Sequence, residues 1–279
     1  MDYGLWSVDN GFMKLSERIG VLGVGNMGAA ILEGLFKKKI AQPSQVWVCD
    51  KIQEKAAQFA KQWKTKTVPY SAGLVNLTDI ILLAVKPQDL QELGPGLKSN
   101  LNKKHSVISI LAGTPLAKIK EVVGAKPSLV RAMPNLGAKV GEAITALTSA
   151  SPASLALAEK IFSGCGKTVI LEENFFDLVT AISGSGPAYF FLLMELLAKE
   201  GEAHGLPENV ARELAVQTAV GAGLLAKQSE FSPAELRTQV TSKGGTTEAA
   251  LKVFEEKGLH EIISLGIKAA LKRGKELSQ

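Results

Sequence analysis

Residues 19–36, IGVLGVGNMGAAILEGLF, decide the fold. Ile19 to Val24 is an apolar run of strand length, and AAILEGLF carries apolar residues at helical spacing. Between them Gly23-Val24-Gly25-Asn26-Met27-Gly28 is GxGxxG in a strand–turn–helix setting. Gly23 permits the tight turn, Gly25 lets a pyrophosphate approach the backbone, and Gly28 allows the helix to pack on the strand. The helix start then offers free N–H groups and the positive end of its dipole to an anion. A lone GxGxxG is often only a glycine-rich turn. Here Asp50 closes the next apolar run, 22 positions after Gly28, where a ribose contact is expected.

Working outward from this unit, apolar runs recur at 46–50, 79–85, 106–111, 128–133, 143–148 and 167–171. Helical stretches separate most of them, among them 26–38, 53–64, 115–123 and 153–163. Val-, Ile- and Leu-rich runs joined through helices predict a mainly parallel sheet buried on both faces, a doubly wound α/β (Rossmann-like) domain. After Glu173 the strand pattern stops. Apolar residues at three- and four-residue spacing predict helices over 174–204, 207–227, 232–242, 247–257 and 259–276, with Ser232-Pro233 as an N-cap and N1 pair. About 105 residues of amphipathic helix make a thin core alone, so an all-α dimerisation domain is expected, its helices shared between subunits. The domain reading is therefore 1–17 extension, 18–172 dinucleotide-binding domain, 173–279 helical dimerisation and substrate domain.

Composition agrees with a soluble globular protein: 46% hydrophobic and 21% charged residues among 279. The net charge of +5 comes without a Lys/Arg tract, which disfavours nucleic acid and suits a small acidic metabolite. Two cysteines, Cys49 and Cys165, give no disulfide framework and point to a reducing, cytoplasmic location. Three scattered histidines lack metal-ligand spacing, so no metal is expected. The most apolar stretches, 80–85 and 189–198, fall short of a membrane span. Residues 1–12 lack the form of a signal peptide.

Two phosphate-like strings fail on inspection. GCGKT (164–168) ends like a P-loop but has Ile161 where the motif needs glycine, and SGSG (183–186) has Ser183 where a nucleophile elbow needs glycine. Two others place small or polar residues at strand carboxyl ends, the edge that lines a ligand crevice: Ala84-Val85-Lys86-Pro87-Gln88 and Leu111-Ala112-Gly113. A last string, Thr241-Ser242-Lys243-Gly244-Gly245-Thr246-Thr247-Glu248, precedes a helix and suits a small carboxylate. Its plainer reading is a helix capped by Thr246.

Together these segments resemble pyrroline-5-carboxylate reductase, the family of the last step of proline biosynthesis. The resemblance runs from Ile19 to Leu277 and rests on GVGNMG (23–28), AVKPQ (84–88), Leu-Ala-Gly (111–113), RAMPN (131–135), SGSGPAY (183–189) and the SxGGTT loop (242–247). It implies NADPH or NADH as cofactor, held by Gly23, Val24, Gly25, Asn26, Met27 and Gly28, by Asp50 and Ser71, and by Ala84, Val85, Lys86 and Pro87. Leu111, Ala112 and Gly113 complete that set. It implies that Gly245, Thr246 and Thr247 hold the substrate carboxylate, that Thr247 reaches the ring nitrogen as the catalytic residue, and that Glu173 contributes to the substrate site. It also implies a homodimer, with or without higher assembly.

The chain departs from the family pattern at Lys243, usually proline, at Leu136-Gly137, commonly Thr-Pro, and at Asp50, often a small polar residue. Asp50 favours NADH at least as well as NADPH, because a carboxylate accepts both ribose hydroxyls and repels a 2′-phosphate. Two other readings stand beside the reductase. A related hydroxy-acid dehydrogenase would need a catalytic lysine, and the long helix offers only Lys199 near its far end. A non-catalytic dinucleotide-binding regulator would not need the 241–247 loop.

Overall fold

The computed structural model describes residues 14–278. Eight strands form one sheet: β1 (Ile19–Leu22), β2 (Val46–Cys49), β3 (Lys66–Thr67), β4 (Ile80–Leu83), β5 (Ser106–Ser109), β6 (Ser128–Met133), β7 (Ala143–Thr148) and β8 (Gly166–Ile170). Their spatial order is β3-β2-β1-β4-β5-β6-β7-β8, parallel throughout except for the antiparallel β6–β7 pair. Every residue of β1 and β4 is buried, as expected for strands covered on both faces. Val21 lies opposite Val48 on one side and Leu82 on the other. The order turns back on itself at β1 and β4, and the crevice beyond their carboxyl ends is where a doubly wound sheet takes its ligand.

Helices α1 (Asn26–Lys37), α2 (Gln53–Trp63), α3 (Ser71–Leu77), α4 (Leu90–Asn100), α5 (Leu116–Val123) and α6 (Pro152–Phe162) cover the sheet. One core joins α1 and α6 through Ile31, Leu35, Ile161 and Phe162; the other, on the opposite face, holds Leu74, Leu97 and Ile119. Leu15 is 3% exposed within the first core, and its N–H donates to the Ile40 carbonyl at 2.7 Å. Packing onto the first unit is thus already present at Leu15; residues 1–13, most of the expected 1–17 extension, lie outside the described ones.

The expected helix 174–204 is a helical run of changing pitch: a 3-10 turn Glu173–Phe175, α7 (Phe176–Val179), a π turn Thr180–Gly184, then α8 (Gly186–Ala203). Thr180 Oγ1 donates back to the Phe176 carbonyl, and Pro187 near the start of α8 has no N–H to continue the ladder. α9 (Glu208–Gln228), α10 (Pro233–Gln239), α11 (Thr246–Glu256) and α12 (Leu259–Ser278) follow. Ser232 and Glu235 cap α10 reciprocally, as the Ser-Pro start suggested.

The chain divides into two compact units, Met1–Gly184 with Leu271–Gln279, and Ser185–Ala270. The last turns of α12 thus group with the sheet, not with the helices that precede them. Within the second unit α8 and α9 meet on Ala198, Ala211 and Ala215. Phe190, Phe191, Leu225, Ile262 and Ile263 of this unit stay more than half exposed. The run Glu173–Ala203, 31 residues, is long and apolar enough to cross a bilayer by length and composition alone, although its most apolar stretch, 189–198, is much shorter.

Candidate active site

The nucleotide side of the site is built where β1 hands over to α1. Gly23 sits at φ +98°, and a Cβ there would lie 2.5 Å from the Ala84 carbonyl oxygen, so only glycine lets the turn lie against the end of β4. A Cβ on Gly28 would run into the Gly23 carbonyl oxygen. Gly25 is different: nothing lies within 4 Å of where its Cβ would be. It is also the N-cap of α1 and provides no side-chain cap, so the first-turn N–H groups of Asn26, Met27 and Gly28 have no side-chain partner there. An open cradle above an uncapped helix start fits a pyrophosphate.

Asp50 closes the cradle from β2. Its Oδ2 accepts from the Val24 N–H and its Oδ1 from the Ile52 N–H, both at 2.9 Å. Two cavities flank this carboxylate and the turn. One, of about 710 Å³, is lined by Val24, Gly25, Asn26, Lys55, Lys86 and Lys139. Lys139 Nζ donates to Asn26 Oδ1 at 3.4 Å. The other, of about 300 Å³, brings together Asp50, Lys51, Tyr70, Ser71, Val85 and Asp89. Lys51 pairs there with Asp89 at 3.3 Å and with Glu92 at 3.7 Å, and the hydrogen bond to Asp89 raises its pKa. Burial likewise pushes up the neighbouring Cys49 thiol.

The remaining cofactor expectations fall on the same edge. Ala84 and Val85 are half-buried after β4, while Lys86 and Pro87 are exposed. Leu111 and Gly113 are buried after β5 with Ala112 exposed between them, and Leu277 of α12 lies against Gly113. Lys55, Lys139, Asp89 and Glu92 were missed by the sequence reading. Asp89 and Glu92 could have been flagged by their place just beyond Lys86-Pro87; Lys139 carries no such signal, because a 3-10 turn brings it to Asn26 across 113 residues.

Glu173, expected at the substrate, has a structural anchor in the first unit. Its Oε1 accepts from the Leu116 N–H at 2.7 Å and from the Arg131 guanidinium at 3.0 Å. Arg131 is 4% exposed and stacks 4.8 Å from the Phe176 ring centroid. In the second unit the Gly-Gly-Thr-Thr segment opens α11. The N-cap is Gly245, not Thr246, and no side chain caps the helix among the described residues. Glu248 turns back to accept from the Gly244 N–H at 2.7 Å, and the Gly245 N–H donates to Ser242 O at 3.0 Å. The N–H groups of Thr246 and Thr247 are left at an open helix start, with Thr247 half-buried beside them.

The family described as "Pyrroline-5-carboxylate reductase dimerisation" matches residues 173–277, and that described as "NADP oxidoreductase coenzyme F420-dependent" matches residues 18–113. A pyrroline-5-carboxylate reductase of Synechocystis sp. is 38% identical over 268 residues, 95% of this chain and all of that protein. The chain belongs to the pyrroline-5-carboxylate reductase family. Another such reductase, from Pseudomonas aeruginosa, is 36% identical over 95% of this chain and 98% of its own. The solved pyrroline-5-carboxylate reductase of Coxiella burnetii superposes with a TM-score of 0.89 at 34% identity, covering 95% of this chain and all of that one. The Plasmodium falciparum pyrroline carboxylate reductase, solved with NADP bound, gives 0.82 at 27% identity over 96% and 100%. The apolar run from Glu173 is where this reductase family's dimerisation match begins.

Proposed function

We propose that the chain reduces pyrroline-5-carboxylate to proline with NADPH or NADH. The observation that carries the reading is the uncapped start of α11 on Gly245-Thr246-Thr247, a receptor for a small carboxylate in a chain that also holds an uncapped glycine-rich turn. A bound reduced nicotinamide supplies a hydride to the C=N carbon. Gly25, Asn26 and Met27 hold the pyrophosphate through backbone N–H groups, Asp50 and Ser71 face the ribose, and Ala84 to Pro87 with Leu111 to Gly113 border the nicotinamide end.

A cyclic imine protonates readily to an electrophilic iminium, to which hydride addition yields the amine directly, so little acid–base machinery is needed. Catalysis then rests on orientation. The Gly245, Thr246 and Thr247 backbone takes the carboxylate, and the Thr247 hydroxyl hydrogen-bonds the ring nitrogen. Glu173 serves the substrate site through Arg131 and the start of α5, whose positions it fixes. The chain acts as a homodimer through its second unit. Two buried free cysteines accord with a reducing, cytoplasmic compartment.

The test is consumption of NADH or NADPH by the purified protein with pyrroline-5-carboxylate, followed by detection of proline. Steady consumption with proline formed supports the reading. Nucleotide binding without turnover would return the chain to the non-catalytic regulator.

A further inference from the structure

The cavity beside Asp50 is electrostatically lopsided. Asp50, Asp89 and Glu92 all border it, while Lys51 is the only cation among its described lining residues. A lysine directly after the strand-ending acid is well placed to meet a 2′-phosphate, and its flexible stem gives it reach. In this chain its ammonium is already engaged on the opposite wall, at 3.3 Å from Asp89 and 3.7 Å from Glu92. The two carboxylates come from the turn after β4 and from the first turn of α4, so the sheet fixes where they stand relative to Lys51. Asp50 cannot turn aside, because both of its oxygens are bound by backbone N–H groups.

We propose that Asp89 and Glu92 set the nucleotide preference of this chain by holding the Lys51 ammonium away from a 2′-phosphate. This rests on the dinucleotide site of the proposed reductase and adds to it the residues that grade NADPH against NADH. A 2′-phosphate entering the cavity adds about −1.5 to −2 charge to a wall that already carries three carboxylates. To be neutralised it must draw Lys51 from two carboxylates that lose their own partner in the exchange. A nucleotide with a free 2′-hydroxyl needs no such exchange, because its hydroxyls donate to Asp50. The pairs are solvent-exposed, with the Lys51 side chain 69% accessible, so the effect is a grading of affinities and not a block.

The experiment measures dissociation constants of NADH and NADPH by calorimetry on the full chain, in wild type, in the Asp89→Asn/Glu92→Gln double variant and in that variant with Lys51→Ala added. The affinity ratio for NADPH over NADH is expected to rise about fivefold in the double variant, equivalent to about 1 kcal/mol, and to fall back when Lys51 is removed. An unchanged ratio in the double variant overturns the inference. So does a raised ratio that survives Lys51→Ala, which would hand the phosphate to another cation such as Lys55. Thermal melting of each variant identifies any that misfold, and the single variants Asp89→Asn and Glu92→Gln then stand in. Because binding is read without substrate, a chain that fails to reduce pyrroline-5-carboxylate still decides this question.

Discussion

Asp50 and Val24 are joined by a hydrogen bond of 2.9 Å, from the Val24 N–H to Oδ2, which fastens the end of β2 to the glycine-rich turn. The other oxygen takes the Ile52 N–H just ahead of α2. The carboxylate thus has a structural duty and still keeps lone pairs for ribose hydroxyls. We expect kcat/KM with NADH to equal or exceed that with NADPH. Repulsion between Asp50 and a 2′-phosphate at ~5 Å amounts to about 1–2 kcal/mol in water. Asp50→Ser should shift the ratio toward NADPH. A strong wild-type preference for NADPH that Asp50→Ser leaves in place would remove Asp50 from cofactor choice.

Thr247→Ala tests the substrate end. Removing the hydroxyl proposed to meet the imine nitrogen should cost about 1–3 kcal/mol of transition-state stabilisation, read as a fall in kcat/KM in folded protein. Thr246→Ala, which keeps its backbone N–H, should fall less. Equal losses would argue that neither hydroxyl is specific.

Glu173→Ala strands Arg131 in a site only 4% exposed and frees the Leu116 N–H. Breaking such a pair from one side costs about 3–5 kcal/mol when fully buried, and about 2–3 kcal/mol is expected here because the Glu173 side chain is 34% exposed. Urea unfolding reads this directly. Glu173→Gln, which keeps an acceptor for both donors, should recover most of the loss. A Glu173→Ala protein as stable as wild type would show that the anchor does not matter.

His105 predicts a pH dependence. It is 1% exposed, its Nδ1 accepts from the Asn102 N–H at 3.0 Å, and burial followed by the nearby Lys104 charge lowers its pKa. The folded protein therefore resists protonation more than the unfolded chain, which titrates near pH 6.5. Stability should be flat above that value and fall as pH drops below it. His105→Gln should flatten this slope in a series of melting temperatures; an unchanged slope would assign it to other groups.

The second unit predicts a dimer. Phe190, Phe191, Ile262 and Ile263 are each more than half exposed, in a unit whose buried apolar cluster among the described residues is three alanines of α8 and α9. Light scattering at micromolar concentration should find no active monomer. A fully active monomer would contradict the shared-helix reading.

The strands were legible because β1 and β4 are short runs rich in Val, Ile and Leu, a pattern that needs no tertiary help to read. The two-residue β3 was not, since Lys66-Thr67 carries no apolar pattern and exists only by pairing with Trp47 and Val48. The glycine-rich turn and Asp50 could be read from spacing, and in the structure the Val24 N–H joins the two. Lys139 could not, because it meets Asn26 across 113 residues, and although Asp89 and Glu92 follow Lys86-Pro87 closely, their pairing with Lys51 needs the fold. Thr246 was read as a possible cap because threonine commonly fills that place; backbone geometry gave it to Gly245 instead.

That last detail has a thermodynamic side. A serine or aspartate at position 245 would close the first turn of α11 on itself and firm the helix by about 1 kcal/mol relative to a side chain without a cap. A glycine leaves those N–H groups to be completed by whatever anion arrives. The start of α11 is thus a piece of secondary structure left unfinished by its own sequence, and the protein's melting temperature should climb with the concentration of a fitting carboxylate such as proline.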